Sequence, residues 1–381
     1  MIWSLCVVGF LSNVTIGARI LIVPLYGSHL GLSAASIGLL YAVFAGLSAV
    51  ISFPSGILLD RGHTRVLLAV GLTTSAVAQV LTITTYVPMI AFAQVLSGAT
   101  LTVIQLSVVT AAINAASPRQ MGRTIGMVAV AAQSGLMAGP ALAGALVSWV
   151  GFTTLMVLSA GPALVALAIS LITVRDFGPR SDGSHEVPTS RELLKNPAIR
   201  QIAILAVAMG TLWGTFQAYF AIFAARGLLM PAVAIGWLVA LAGLANALSR
   251  IPAGRLLSRG FRKDAIIAAS VVGFAAGLAV LPHLWGFWLT ALLIAVTVPL
   301  ASLGIMGMSV ALAELGGTHG RGRAISIMYL VFNVASAAAP ALLASAMDNS
   351  FTVGFAAASL TGAAVAGVAL LLHSSSKARE Q

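Results

Sequence analysis

Nine side chains place a polar group inside a long apolar run: Asn13, Arg19, Gln105, Gln133, Trp213, Gln217, Asn246, Tyr329 and Asn333. None of them is paired with a general base, so none reads as an activated nucleophile. What they offer is hydrogen-bond donors, acceptors and one fixed positive charge, the chemistry of holding a solute rather than of breaking a bond. Arg19 is the most demanding of them, because a full charge within a membrane-length run is costly and is usually kept for function. It suits an anion-attracting group that lines a cavity; the alternative is a side chain that snorkels outward or caps carbonyls. Trp213 and Gln217 are one helical turn apart, as are Tyr329 and Asn333, so each pair shares a helix face. Arg250 stands near the end of its run and is expected to snorkel. The sequence holds no Ser/His/Asp grouping, no HExxH, no GxxxxGK[ST] and no metal-ligand spacing of His or Cys, its one cysteine being Cys6. It therefore predicts no enzyme, no metal site, no cofactor and no ATP-driven pump.

The elements that must carry these groups follow from composition. Hydrophobic residues make up 59% of the 381-residue chain, charged residues 8%, and the mean hydropathy is +1.04. Soluble domains carry about 25% charge, so lipid must cover most of this surface. A span takes about 20 apolar residues, and twelve runs qualify: 4–26, 34–58, 66–86, 88–115, 124–148, 153–174, 199–224, 234–257, 265–282, 287–314, 325–347 and 351–372. The net charge of +11 does not point to nucleic acid, because the basic residues recur after every second run: Arg61 and Arg65, Arg119 and Arg123, Arg175 to Lys195, Arg259 to Lys263, Arg321 and Arg323, Lys377 and Arg379. The loops between hold almost none apart from Arg226. This bias sets both termini in the cytoplasm. The polar stretch from Arg175 to Pro197, rich in Pro, Gly and Ser, reads as a linker that bisects the chain.

The two halves are related. "FPSGILLDRGHTR" at 53–65 aligns with "IPAGRLLSRGFRK" 198 positions later, and "SIGLLYA" at 36–42 with "AIGWLVA" at 234–240. Near an offset of 200, Gly122-Arg123 aligns with Gly322-Arg323, and "PAL" at 140–142 with "PAL" at 340–342. Two parallel six-helix halves with a solute path near the midplane is a transporter architecture.

The loop "GILLDRGHTR" resembles the GxLaDRxGRK loop of the major facilitator superfamily, with Gly56, Leu58, Asp60, Arg61 and Arg65 on pattern. The resemblance covers nearly the whole chain. It implies a conformational latch in which Gly56 admits a neighbouring helix, Asp60 caps helix 11, and Arg61, Arg65, Gly254, Arg259, Glu314, Arg321 and Arg323 complete the cytoplasmic contacts. The run "GMVAVAAQSGLMAGPALAG" resembles the family's helix-5 antiporter motif, with Gly126, Gly135, Gly139, Pro140 and Gly144 in place and Ala143 replacing one glycine. That motif is associated with exporters, including drug–proton antiporters; its glycines permit tight packing and Pro140 is expected to kink the helix. The family's helix-4 motif sets an arginine four residues before a glycine, and here Gln94 stands four before Gly98. The group linked to proton coupling is thus absent from its usual place, and all nine acidic residues lie in loops, helix ends or tails.

The expectation is an all-α membrane protein of about twelve transmembrane helices in two pseudo-symmetric six-helix bundles, 1–174 and 198–381, joined by a cytoplasmic linker at 175–197. It would be a monomeric multi-pass permease of a bacterial cytoplasmic membrane, in contact with lipid and with a small-molecule substrate but no nucleic acid. The expected activity is secondary transport by alternating access, foremost proton-linked efflux of a drug-like compound or metabolite. The alternatives are a uniporter or exchanger of an anionic metabolite that uses Arg19 and, more remotely, a transporter-like receptor or scaffold.

Overall fold

The computed structural model describes residues 2–115, 121–174, 193–258, 263–315 and 317–380. At a few helical positions, among them Asp60, Gly254, Arg321 and Arg323, only the backbone is described. Arg259 and most of the expected linker lie outside the described residues. Every regular element among the described residues is helical, as lipid demands: a backbone with no water to bond must satisfy its own N–H and C=O groups.

The helices are α1 (Ile2–His29), α2 (Ala34–Asp60), α3 (Thr64–Leu81) and α4 (Val87–Ala115), then a continuous stretch, Met121–Thr173. At 1.5 Å per residue that stretch is about 80 Å long, more than twice the hydrocarbon thickness. Gly151 resolves the mismatch. Its φ of 74° and ψ of 169° leave the helical region, a conformation open to glycine because it has no Cβ. The two limbs are α5 (121–150) and α6 (152–173). The backbone stays helical through Pro140, so the chain turns eleven residues beyond the proline at which a kink was expected. There follow α7 (Pro197–Arg226), α8 (Ala232–Ser258), α9 (Lys263–Val280), α10 (Phe287–Leu315), α11 (Gly317–Leu342), the six-residue α12 (Ala344–Asn349) and α13 (Phe351–Glu380). Among the described residues, eleven apolar segments are long enough to span, and the double-length one brings the spans to the expected twelve.

Backbone contacts divide the chain into two compact units. The first comprises Met1–Ser33, Val43–Asp182 and Ala224–Leu244. Its central contact is α1 against α5. A Cβ placed on Gly139 would lie 2.5 Å from both the Val14 oxygen and the Ala18 nitrogen; one on Gly17 would lie 2.6 Å from the Leu136 oxygen and 2.9 Å from Pro140 Cδ; one on Gly135 would collide with the Phe10 carbonyl. Gly144 makes a similar approach to the start of α8, facing Gly236 and the Ala232 oxygen. Four of the five helix-5 motif residues are therefore packing positions, and the fifth, Gly126, has nothing within 4 Å. Leu5, Leu68, Leu72, Ile104, Val108 and Val128 fill the space between α1, α3, α4 and α5. Arg226, the exception in the charge pattern, donates to Ser28 Oγ and to the Leu32 carbonyl, both at 2.7 Å.

The second unit comprises Ala34–Ala42, Gly183–Phe223 and Ala245–Gln381. It repeats the central contact with α7 against α11: Gly210 abuts the Phe332 carbonyl and Gly214 the Ser336 carbonyl. Trp213, Phe216, Phe220 and Phe274 form a chain of tilted, stacked and edge-on rings beside it. The first turns of α2 dock here, with Gly38 against the Tyr219 ring, the Tyr219 hydroxyl donating to the Pro340 carbonyl at 2.6 Å, and the Ala35 amide donating to Asp348 at 2.9 Å. That carboxylate satisfies one of the orphan N–H groups at the positive end of α2.

Gly139→Val forces a methyl pair into backbone atoms, and overpacking of this kind costs on the order of 3 kcal/mol. Thermal unfolding in detergent should show a fall of several degrees for Gly139→Val and almost none for Gly126→Ala, where the space is open.

Candidate functional site

A cavity of about 390 Å³ opens within the second unit, lined by Asn246, Arg250, Ser302, Ile305, Met306, Ser309, Val310 and Tyr329. Helical spacing builds it. Ser302, Ile305, Met306, Ser309 and Val310 follow the i, i+3, i+4, i+7, i+8 stripe of a single face of α10. Asn246 and Arg250 are one turn apart on α8, and Tyr329 comes from α11. The α10 stripe alternates hydroxyls with aliphatic groups, so one wall is amphipathic. Ser302 Oγ lies 3.4 Å from both the carbonyl and the side-chain oxygen of Asn246, and Ser309 Oγ donates to the Ile305 carbonyl at 2.9 Å. No acidic residue lines the cavity among the described residues.

Of the nine candidate residues, Asn246 and Tyr329 meet here. Arg250, expected to snorkel, is exposed at the end of its span and also lines the cavity. Ser302 and Ser309 carry no individual signal in the sequence, because serine in an apolar helix is ordinarily satisfied by its own backbone, as Ser309 is; the hydroxyl stripe on α10 is the signal the sequence offers. Asn13 does not line this cavity: it is buried and its amide donates to the Gly9 carbonyl at 2.8 Å. Trp213 is committed to the aromatic chain on Phe216 and Phe274. Gln133 stands near Gly243, within the first unit, and Gln105 is exposed; Gln217 and Asn333 are part-buried on α7 and α11 and do not line this cavity.

Arg19 does not line this cavity. It is 5% exposed. Its Nε donates to Gln94 Oε1 at 2.8 Å, and one terminal nitrogen donates to Gln79 Oε1 at 3.1 Å and to the Ala78 carbonyl at 3.2 Å. Gln79 in turn donates to the Thr15 carbonyl at 3.0 Å. The other terminal nitrogen is buried with no partner among the described residues. Gln94, which occupies the arginine position of the helix-4 pattern, is thus the acceptor for an arginine supplied from α1. The neutral oxygens of two glutamines and a carbonyl hold the guanidinium in place of a carboxylate.

The cytoplasmic loops are partly described. Glu314, expected beside Arg321 and Arg323, is held by Lys263 at the start of α9. Arg65 donates to the Leu171 carbonyl at 2.6 Å, tying α3 to the end of α6. Among the described residues, a Cβ on Gly56 meets nothing within 4 Å. Arg61 is exposed. The roles expected of Asp60, Gly254, Arg259, Arg321 and Arg323 fall on side chains outside the described residues.

A sequence model of the Major Facilitator Superfamily matches residues 5–340, most of the chain. The chain belongs to this superfamily. Solved structures agree on the fold. The nucleoside transporter NupG superposes with a TM-score of 0.79 at 12% identity over 98% of this chain and 98% of that one. A bacterial homologue of the human lysosomal transporter Spinster gives 0.74 at 14% identity over 97% and 95%. No curated protein sequence matches the chain. As a major facilitator protein, it is a multi-pass membrane transporter for a small molecule and not an enzyme.

The buried Arg19 cluster makes a testable demand. Gln94→Leu strips the guanidinium of its shortest bond and should cost about 2 kcal/mol, because a charged donor is left buried and unmet. Adding Arg19→Met removes the stranded charge, and thermal unfolding should then recover most of the loss.

Proposed function

We propose that this protein carries a small organic solute across the membrane by alternating access, with the cavity on α8, α10 and α11 as its binding chamber. The chamber carries the proposal. Its volume lies within the range of small-molecule sites, and a few polar groups set into an aliphatic wall are how such sites orient a ligand. The residues 1–174 and 198–381 serve as the two rocking bundles about the linker 175–197, and the paired cytoplasmic loops serve as their latch. The protein works as a monomer in a bacterial cytoplasmic membrane, surrounded by lipid, with both termini inside.

Export is the direction favoured by the α5 pattern, whose glycines sit in close contacts with α1 and α8. Proton-linked efflux is therefore the second reading. A buried acid relay does not support it, since Gln94 stands at the helix-4 arginine position and the acidic residues keep to loops and helix ends. Arg19 is enclosed by Gln79, Gln94 and Ala78, so anion transport through Arg19 itself has lost its footing.

Reconstituted flux over a chemical panel tests the chamber. Ser302→Phe, which fills it, and Asn246→Ala, which removes a polar handle, should each lower flux at least about tenfold, as the loss of one well-made polar contact allows, with little change in melting temperature. Wild-type flux in both variants would remove the chamber from the pathway. Flux indifferent to an imposed pH gradient would remove proton linkage.

A further inference from the structure

The chamber's hydrogen-bonding inventory is lopsided. Among the described residues, the Arg250 guanidinium makes no hydrogen bond or ion pair, the Tyr329 hydroxyl donates to nothing, and the Asn246 amide nitrogen donates to nothing. A guanidinium offers five N–H donors, an amide two and a phenol one, and neither guanidinium nor ammonium groups accept. The acceptors are scarcer. Asn246 Oδ1 already faces Ser302, and the Ser309 proton is directed to the Ile305 carbonyl. The nearest carboxylate along α10 is Glu314, one turn beyond Val310, and Lys263 holds it. A donor-rich wall, with no acid and an unpaired cation among the described residues, is complementary to a ligand rich in acceptors and negative charge.

The alternatives fare worse physically. An ammonium or amidinium solute meets a like charge. A neutral solute offers the exposed guanidinium no charge-assisted hydrogen bond. An oxyanion engages its fork through two parallel hydrogen bonds, the strongest arrangement open to it. Ile305, Met306 and Val310 supply an apolar wall on the same helix face, which suits the body of an amphiphilic molecule rather than a bare inorganic ion. The guanidinium buried in α1 points the same way: Arg19 is held by neutral oxygens, with no carboxylate partner among the described residues.

We infer that the chamber selects small organic anions, with an oxyanion head on Arg250, Tyr329 and Asn246 and an apolar body against Ile305, Met306 and Val310. This rests on the chamber being the solute site. Arg250 acts in it as a specificity-determining residue.

Three ligands of one shape and three charges provide the test: benzoate, benzamide and benzamidine, each titrated against the purified full-length protein by thermal shift, with phenyl phosphate to separate a carboxylate preference from a phosphate one. Benzoate or phenyl phosphate should stabilise the wild type in preference to benzamide, and benzamidine should do least. Arg250→Gln should weaken the anion about tenfold and abolish the ranking, as loss of a charge-assisted bond implies, while Arg250→Lys keeps the order with weaker binding. Equal or stronger binding of benzamidine, an unchanged anion preference in Arg250→Gln, or no anion-dependent shift at all would overturn the inference. Ser302→Phe separates the two ideas. If it abolishes the binding of all three ligands while Arg250→Gln leaves their order intact, the chamber stands and the charge preference falls. If it leaves their binding untouched, the chamber itself falls.

Discussion

Backbone pressed against backbone at glycine is the contact on which the rest of this structure depends. In lipid, helices gain nothing from hiding apolar surface from one another, so close van der Waals approach has to hold them. Gly17, Gly135 and Gly139 provide it between α1 and α5, and Gly210 and Gly214 between α7 and α11. The pairing is the same in both halves, but the glycines are distributed differently: the first half places them on both partners, the second on α7. What is preserved is the contact and not the residue. The first half leaves its buried polar groups in an enclosed cluster around Arg19, whereas the second opens a chamber beside α10.

Charge divides the molecule in a second way. Carboxylates keep to the ends, where Asp348 meets the first turn of α2 and Glu314 meets Lys263. Arg19 is buried inside a helical span and enclosed by amides, while Arg250, exposed at the end of its span, faces the chamber. A buried cation without a counter-ion is expensive, and two polar glutamines reduce the cost at Arg19 without cancelling it. At Arg250, which is exposed to the chamber, we propose that the solute supplies the partner. The same distribution that weakens the case for a proton relay strengthens the case for charge complementarity between wall and ligand.

The fold was largely legible in the sequence because the bilayer permits so few alternatives. Twelve runs, basic residues after every second one, and a repeat of loop residues lead to one architecture, and even the run boundaries at 148 and 153 bracket the turn at Gly151. The site was less legible, for a reason the helices make plain. A polar residue in an apolar run is conspicuous whether it faces a neighbouring backbone or an open chamber, so Asn13 and Asn246 look alike until their surroundings are known. Asn13 bonds back to Gly9, one turn away, while Asn246 faces space. Serines on α10 carried no such signal individually; only their phase with Ile305, Met306 and Val310 marks a wall. Arg19 was conspicuous for its cost, but its partners Gln79 and Gln94 lie 60 and 75 positions away, beyond any local pattern.

The central claim is that a transported solute occupies the α8–α10–α11 chamber. A single-cysteine protein, Cys6→Ala with Ser302→Cys, reports on it directly through the rate of maleimide labelling. A transported solute should slow labelling at 302 in proportion to its occupancy and leave unchanged the rate at an exposed loop control, Trp285→Cys, just before the same helix. Equal labelling at 302 with and without solute, under conditions in which flux is measured, would contradict the account.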